Sequence, residues 1–259
     1  MKIEKSLLLV IMLFSLFSCS KNEDPVVTTP PPVTSTLKDG LLVHLPFNGN
    51  FNDASGNSNN ATGVNGINFS MNRYFEDTKA VNMNGTSNWI EIPEQKIVGL
   101  QKFSFYIEFM PTSIQPQCLM GKRTYNPATT TPLSQSFNFL INYSGAPVRF
   151  SLRKAGQCNS ENLSAYHNPL TSGSEQLMLN CWNNVVGTYD GAIQKLYVNG
   201  RLVGEQAISA VEMCSGDPIR VGTWWKDDPL YFSGKIDEVR IYNRAITTQE
   251  VKDLYKLSN

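Results

Sequence analysis

Two adjacent tryptophans, a lysine, an aspartate and a nearby tyrosine, Trp224-Trp225-Lys226-Asp227 and Tyr231, are the residues of this chain best suited to recognition chemistry. An indole ring can stack on the C–H face of a sugar while charged and hydroxyl side chains bond its hydroxyls. Neighbouring side chains on a strand point to opposite faces, so one tryptophan is expected to pack inward and the other to stay at the surface. The alternative is that both lie buried under neighbouring loops. Tyr166-His167, in the polar stretch from Gly156 to Leu177, is a second pair for ligand contact, set against the reading of a plain surface histidine. A third set is dense in oxygen ligands: Asn48, Asn50, Asn52, Asp53, Asn57, Asn59 and Asn60. Asn50, Asp53 and Asn59 with Asp237 and backbone carbonyls suit a structural Ca²⁺, because hard cations take six to eight oxygens. The same residues also suit a loop held by Asx-turns, with Asp237 accepting backbone N–H bonds.

Catalytic strings are missing. No G-x-S-x-G, H-E-x-x-H, phosphate-binding or dinucleotide-binding pattern occurs, and His44 and His167 leave few options for a Ser-His-Asp site. Asp237 and Glu238 are adjacent, so on a regular strand they face opposite ways and cannot flank one bond. The 22 basic and 22 acidic side chains balance to a formal net charge of zero, which gives no reason to expect nucleic acid as a partner. Binding without bond cleavage is the expected activity.

The elements that must position these residues read as short strands. Turn-forming residues recur every 8 to 12 positions and only 17 % of residues are charged, the pattern of one all-β domain. Phe103 to Met110 is apolar on both faces and predicts a central strand. Trp182 to Tyr189, Ile193 to Asn199 and Leu202 to Ile208 predict a meander, with Asn199-Gly200 as a type I′ hairpin turn. Asn84-Gly85 joins two more strands, Lys79 to Met83 and Trp89 to Ile92. Lys235 to Tyr242 predicts a closing strand, with Asp237, Val239 and Ile241 on one face. It leads into a helix capped by Thr247 and Glu250, with Ile246 and Val251 as an apolar staple.

Three segments carry a family resemblance: Leu45 to Thr62, LPFNGNFNDASGNSNNAT; Trp182 to Gly204, WNNVVGTYDGAIQKLYVNGRLVG; and the C-terminal FSGKIDEVRIYNRAITTQEVKDLY from Phe232 to Tyr255. In that order they resemble laminin-G-like jelly-roll domains of the concanavalin A-like lectin/glucanase superfamily, from about Leu41 to the C-terminus. The resemblance implies an all-β, two-sheet antiparallel sandwich with a short C-terminal helix. It also implies pairing of the first strand, Leu41 to Phe47, with the last, which would bring the asparagine-rich loop near Asp237, and calcium recurs among such domains. The partner implied is a carbohydrate or glycoconjugate, or alternatively a protein. A glycoside hydrolase is the remaining alternative, although the Glu-x-Asp-x-Glu string of related glucanases is absent.

Residues 1–19 read as a targeting segment: Lys2 and Lys5 precede an apolar run from Leu7 to Phe17, too short to span a bilayer. Leu16-Phe17-Ser18-Cys19 resembles a bacterial lipobox, which implies lipidation at Cys19, and Ser20 rather than Asp after it implies the outer membrane. The alternatives are an ordinary secretory signal or a membrane anchor. Ser20 to Thr36 contains four prolines and reads as an extended linker, able to hold a domain over residues 37–259 up to about 50 Å from the membrane. The other cysteines, Cys118, Cys158, Cys181 and Cys214, predict two disulfides in an exported chain. The meander separates Cys181 from Cys214 by about 24 Å, which disfavours that pair. The pairing expected is Cys158–Cys181 with Cys118–Cys214, against an alternative of four free thiols.

Overall fold

The computed structural model describes residues 36–94, 97–125, 132–158, 160, 162–173, 177–225 and 230–257. The leader with Cys19 and most of the linker lie outside them. The strands are β1 (Leu41–Leu45), β2 (Thr62–Val64), β3 (Asn68–Ser70), β4 (Ala80–Asn84), β5 (Trp89–Ile92), β6 (Phe103–Pro111), β7 (Gln117–Tyr125) and β8 (Pro132–Tyr143). They continue with β9 (Ala146–Leu152), β10 (Leu170–Thr171), β11 (Asn183–Tyr189), β12 (Ile193–Val198), β13 (Arg201–Ala207), β14 (Ile219–Val221) and β15 (Ser233–Tyr242), before helix α1 (Thr248–Leu257). Two antiparallel sheets form a sandwich. One runs β13-β12-β11-β6-β15-β4-β3, with β1 also on β15; the other runs β10-β9-β8-β7-β14-β5-β2.

Between the sheets lies one apolar core. Phe103, Phe105, Ile107 and Phe109 of β6 enter it, facing Phe137, Phe139 and Ile141 of β8 and Phe150 of β9. Phe139 and Phe150 stack at 4.4 Å with planes 3° apart. They press on Gly187 of β11, where a Cβ would sit 2.5 Å from both rings. A second, smaller core lies on the outer face of the first sheet, where Tyr106, Val186, Tyr197 and Tyr242 meet Ile246, just before the helix, and Val251 and Leu254 within it. This explains why β6 is apolar on both faces.

The helix start is as its sequence predicts. Glu250 N–H donates to Thr247 Oγ1 at 3.2 Å and Thr247 N–H to Glu250 Oε2 at 2.7 Å, a reciprocal capping box. Arg244 adds bonds of 2.6 and 2.8 Å to the same carboxylate and reaches the Thr36 and Asp39 carbonyls, tying the start of the domain to its end. Those Arg244 bonds hold the Glu250 carboxyl down at about 2. Asn199 and Gly200 both have positive φ, as a type I′ turn requires.

Three expectations are corrected. Asn84-Gly85 does not close a hairpin: β4 and β5 belong to different sheets, and Asn84 Oδ1 instead accepts the Thr86, Ser87 and Asn88 N–H groups to turn the chain across the sandwich. The first and last strands do pair, Leu45 opposite Val239, but β15 is not regular. Ile236 sits opposite Phe109 and Glu238 opposite Glu108, so Asp237 is an extra, bulged residue. Ile236, Val239 and Ile241 therefore all face the core, and Asp237 does not. Among the described residues a disulfide joins Cys158 and Cys214, with Cα atoms 5.6 Å apart, so Cys158 is not the partner of Cys181. Cys118 is a buried free thiol within β7, whose ionisation burial opposes. It cannot pair with Cys214 because Cys158 already does.

Gly187→Ala should cost about 1–3 kcal/mol, because the added methyl must displace the stacked Phe139–Phe150 pair. Urea unfolding should show a lower midpoint at unchanged m-value; an unchanged midpoint would mean that the rings move aside freely.

Candidate functional site

At one end of the sandwich three connections enclose a cavity of about 470 Å³, within the size range of small-molecule sites. The β4–β5 connection contributes Asn84, Gly85 and Thr86; the β6–β7 connection contributes Ser113, Gln115 and Pro116; Gln117 opens β7; and Tyr231 and Ser233 lead into β15. Each wall is fixed by local bonding. Asn84 makes its Asx-turn, and Gly85 packs so closely on Ser233 that a Cβ would lie 2.8 Å from the serine Cβ. Thr112 N–H donates to the Ser233 carbonyl at 3.0 Å, and the Thr112 and Ser233 hydroxyls are 2.9 Å apart.

Gln117 joins two of the walls. Its Nε2 donates to the Ser113 and Gln115 carbonyls at 2.8 and 3.2 Å, while its Oε1 accepts the Ser233 N–H at 2.7 Å. It is buried, so these bonds are shielded from competing water. Tyr231 is half-buried, with Trp89 stacked on it at 6.2 Å and 25°. Trp89 is itself held by its Nε1–H bond of 3.0 Å to Glu91. The cavity thus offers an aromatic ring beside exposed polar side chains, Thr86 and Gln115 among them. Gln117 and Trp89 carried no sequence signal beyond strand position, whereas Tyr231 was predicted for ligand contact and does line the cavity.

The other predicted contact residues lie elsewhere. Residues 222–225, directly after β14, are not a strand, so face alternation does not govern Trp224 and Trp225. Trp225 is buried and Trp224 half-buried, and the Arg123 guanidinium lies 4.9 and 5.0 Å from their ring centroids. Lys226 and Asp227 fall outside the described residues. Tyr166 lies over the buried Arg153 guanidinium at 4.4 Å, and its hydroxyl accepts the Gln135 N–H at 3.0 Å. His167 is buried, and its burial pushes the imidazole below its usual range. Neither is the surface contact expected, because the connection from Lys154 to His167 folds back onto β8 and β9.

Of the four residues expected to hold calcium, Asp53 and Asn59 are in direct contact. Asp53 accepts the His44, Ser55 and Asn59 N–H groups, each at 2.9 Å, and the Ser55 hydroxyl at 2.8 Å. Burial opposes its ionisation, but these donors outweigh burial and hold the carboxyl below its ordinary value. Asn50 Oδ1 accepts the Asn52 N–H, and Asn59 donates to the Leu42 carbonyl. These are bonds of the Asx-turn network. Asp237 is paired with Arg73 at 2.6 Å.

The bulge puts Asp237 and Glu238 on the same side, against the expectation that they face opposite ways. Arg73 lies 3.6 Å from both Glu238 and Glu108, and Glu238 also binds His44 at 2.8 Å and Arg240. Three buried carboxylates thus share two guanidiniums. Burial, reinforced by Glu238, outweighs Arg73 and pushes Asp237 up to about 6. Burial also opposes ionisation of Glu238, but His44 and Arg240 hold it down at about 2.

A family model described as the concanavalin A-like lectin/glucanases superfamily matches residues 84–252. No curated protein matches the sequence. Among solved structures, domain 4 of an extracellular arabinanase from Geobacillus stearothermophilus, in complex with arabinotriose, is similar at TM-score 0.59 and 20 % identity, covering 83 % of this chain and 98 % of that one. The binding domain of Paraclostridial Mosquitocidal Protein 1 is similar at TM-score 0.60 and 17 % identity, covering 85 % and 52 %. The ligand-binding domain of botulinum neurotoxin serotype D, in complex with N-acetylneuraminic acid, is similar at TM-score 0.58 and 15 % identity, covering 85 % and 51 %. This chain spans about half of each toxin domain.

Folding favours the protonated form of Asp237, so its contribution to stability is full below about 3.8 and is lost as pH rises through about 6. Asp237→Asn cannot ionise and should escape that loss. Relative to the native chain, its stability should therefore rise between pH 4 and pH 7 by on the order of 1–3 kcal/mol. Parallel unfolding curves for the two proteins across that range would refute the charge imbalance.

Proposed function

We propose, from the premise that this chain belongs to the concanavalin A-like lectin/glucanases superfamily, that it is a carbohydrate-binding module holding a glycan in the rim cavity without cleaving it. The observation that carries this reading is the cavity itself: Tyr231, fixed by Trp89, stands beside hydroxyl and amide groups whose loops are already bonded in place. A preorganised site of this kind loses little entropy on binding. Among the described residues no carboxylate lines the cavity, which supports retention of a sugar over hydrolysis. The arabinanase domain with arabinotriose and the neurotoxin domain with N-acetylneuraminic acid support a sugar as partner.

The leader ending at Cys19 and the proline-rich segment to Thr36 support display from a bacterial outer membrane, lipid-anchored and facing outward. Among the described residues no helix is long and apolar enough to cross a membrane. A second reading, adhesion to a protein, is favoured by one feature. Met71, Tyr74 and Phe75 are 49, 46 and 85 % exposed in a single loop, and an exposed aromatic cluster of this kind suits a protein contact.

A glycan array probed with the full chain in detergent should give binding that Tyr231→Ala weakens about tenfold or more and Phe75→Ala leaves intact. No bound glycan, or binding indifferent to Tyr231, would remove the rim-site reading.

A further inference from the structure

We infer that the β3–β4 loop is a self-complementary contact through which two copies of this chain pair about a twofold axis. This rests on the reading of the loop as a protein contact, gives it a definite partner, and does not involve the rim cavity. The loop runs from Met71 to Lys79, and its base is closed where the Lys79 N–H donates to the Ser70 carbonyl at 3.1 Å. Its first turn is clamped. Asn72 N–H donates to the Glu76 carbonyl and Phe75 N–H to the Asn72 carbonyl, while Asn72 Oδ1 accepts the Tyr74 and Glu76 N–H groups at 2.9 and 3.0 Å. Arg73 ties the loop to Asp237 of β15, and the Tyr74 hydroxyl donates to the Leu257 carbonyl at the end of the helix. A loop fixed in this way loses little freedom on docking.

Within this frame Phe75 has φ of 62° and is 85 % exposed. A left-handed backbone is easy for glycine and strained for a bulky side chain, and so exposed a ring makes little buried contact to offset the strain. Folding alone favours glycine at such a position; contact with another surface accounts for the ring. What that surface carries follows from the order of side chains along the loop. The tip presents Phe75 followed by the exposed Glu76 and Asp77. The base presents the exposed Met71 with Lys79 and with Lys235, whose Nζ lies 3.4 Å from the Met71 carbonyl. A twofold axis set across the loops runs the two copies antiparallel, so tip meets base twice: ring on methionine, carboxylates on ammonium groups. An isologous contact requires this reciprocity, and a chain of zero formal net charge brings no long-range repulsion against it.

Sedimentation velocity of the full chain in density-matched detergent is the test. The native chain should populate a dimer by roughly 100 µM. Phe75→Gly, which also relieves the strained backbone, should weaken that dimer about tenfold or more while unfolding at no lower urea concentration than the native chain. Two charge variants separate a registered contact from general stickiness. Glu76→Lys with Asp77→Lys gives the tip the sign of the base, and Lys79→Glu with Lys235→Glu gives the base the sign of the tip. Each variant alone should be a monomer, and their mixture should form a mixed dimer. A monomeric native chain, a dimer indifferent to Phe75→Gly, or charge variants that pair equally well alone and mixed would overturn the inference, and each of these results leaves glycan binding at the rim to be decided by the array.

Discussion

The structure depends on how β15 divides its length. Its first residues, Ser233 to Ile236, pair with β4, and its last, Val239 to Tyr242, pair with β1, both against the edge opposite β6. The bulge at Asp237 sits at the handover. It resets the side-chain alternation so that Ile236, Val239 and Ile241 all enter the core, which a strict period of two would forbid. The surplus residue has to go somewhere, and it goes to the outer face, where Arg73 receives it. Burying several acids around few cations is tolerable only when each oxygen has a partner, and Arg73, His44, Arg240 and Tyr106 supply them.

The same strand connects architecture to recognition. The residues just before the handover, Tyr231 to Ser233, form one wall of the rim cavity, and the pairing of Ser233 with Asn84 brings the sheet-crossing turn alongside it. Outer and inner cores play different parts. The inner one, with its stacked phenylalanines, sets the distance between sheets; the outer one fixes the helix, which Arg244 and Glu250 clasp to the first residues of the domain. The cavity lies at the end of the sandwich, where backbone from both sheets can reach a ligand.

Much of this was legible in the residues. The capping box at Thr247, the Asn199-Gly200 hairpin and the doubly apolar β6 each rest on local rules, and local rules survive folding. Long-range facts did not show. The bulge follows from Arg73 lying 164 positions away in sequence from its carboxylate. Gln117 looks like any polar residue at a strand's start until two connections converge on it. Trp224 and Trp225 read as a pair on opposite strand faces, but β14 ends at Val221, and both rings lie under the Arg123 guanidinium. The cysteines misled for a related reason: nearness in the meander constrained Cys181 but said nothing of how the Cys158 and Cys214 loops fold over the second sheet.

Gln117 has one more implication. Because a single hidden amide acts as the crossbar between two walls, the shape of the cavity is maintained by a residue that never needs to meet the guest. Thr86 and Gln115 are thereby released from structural duty. Under the proposed binding role, such a division of labour would let the captured ligand change with two outward-facing positions while the frame stays untouched.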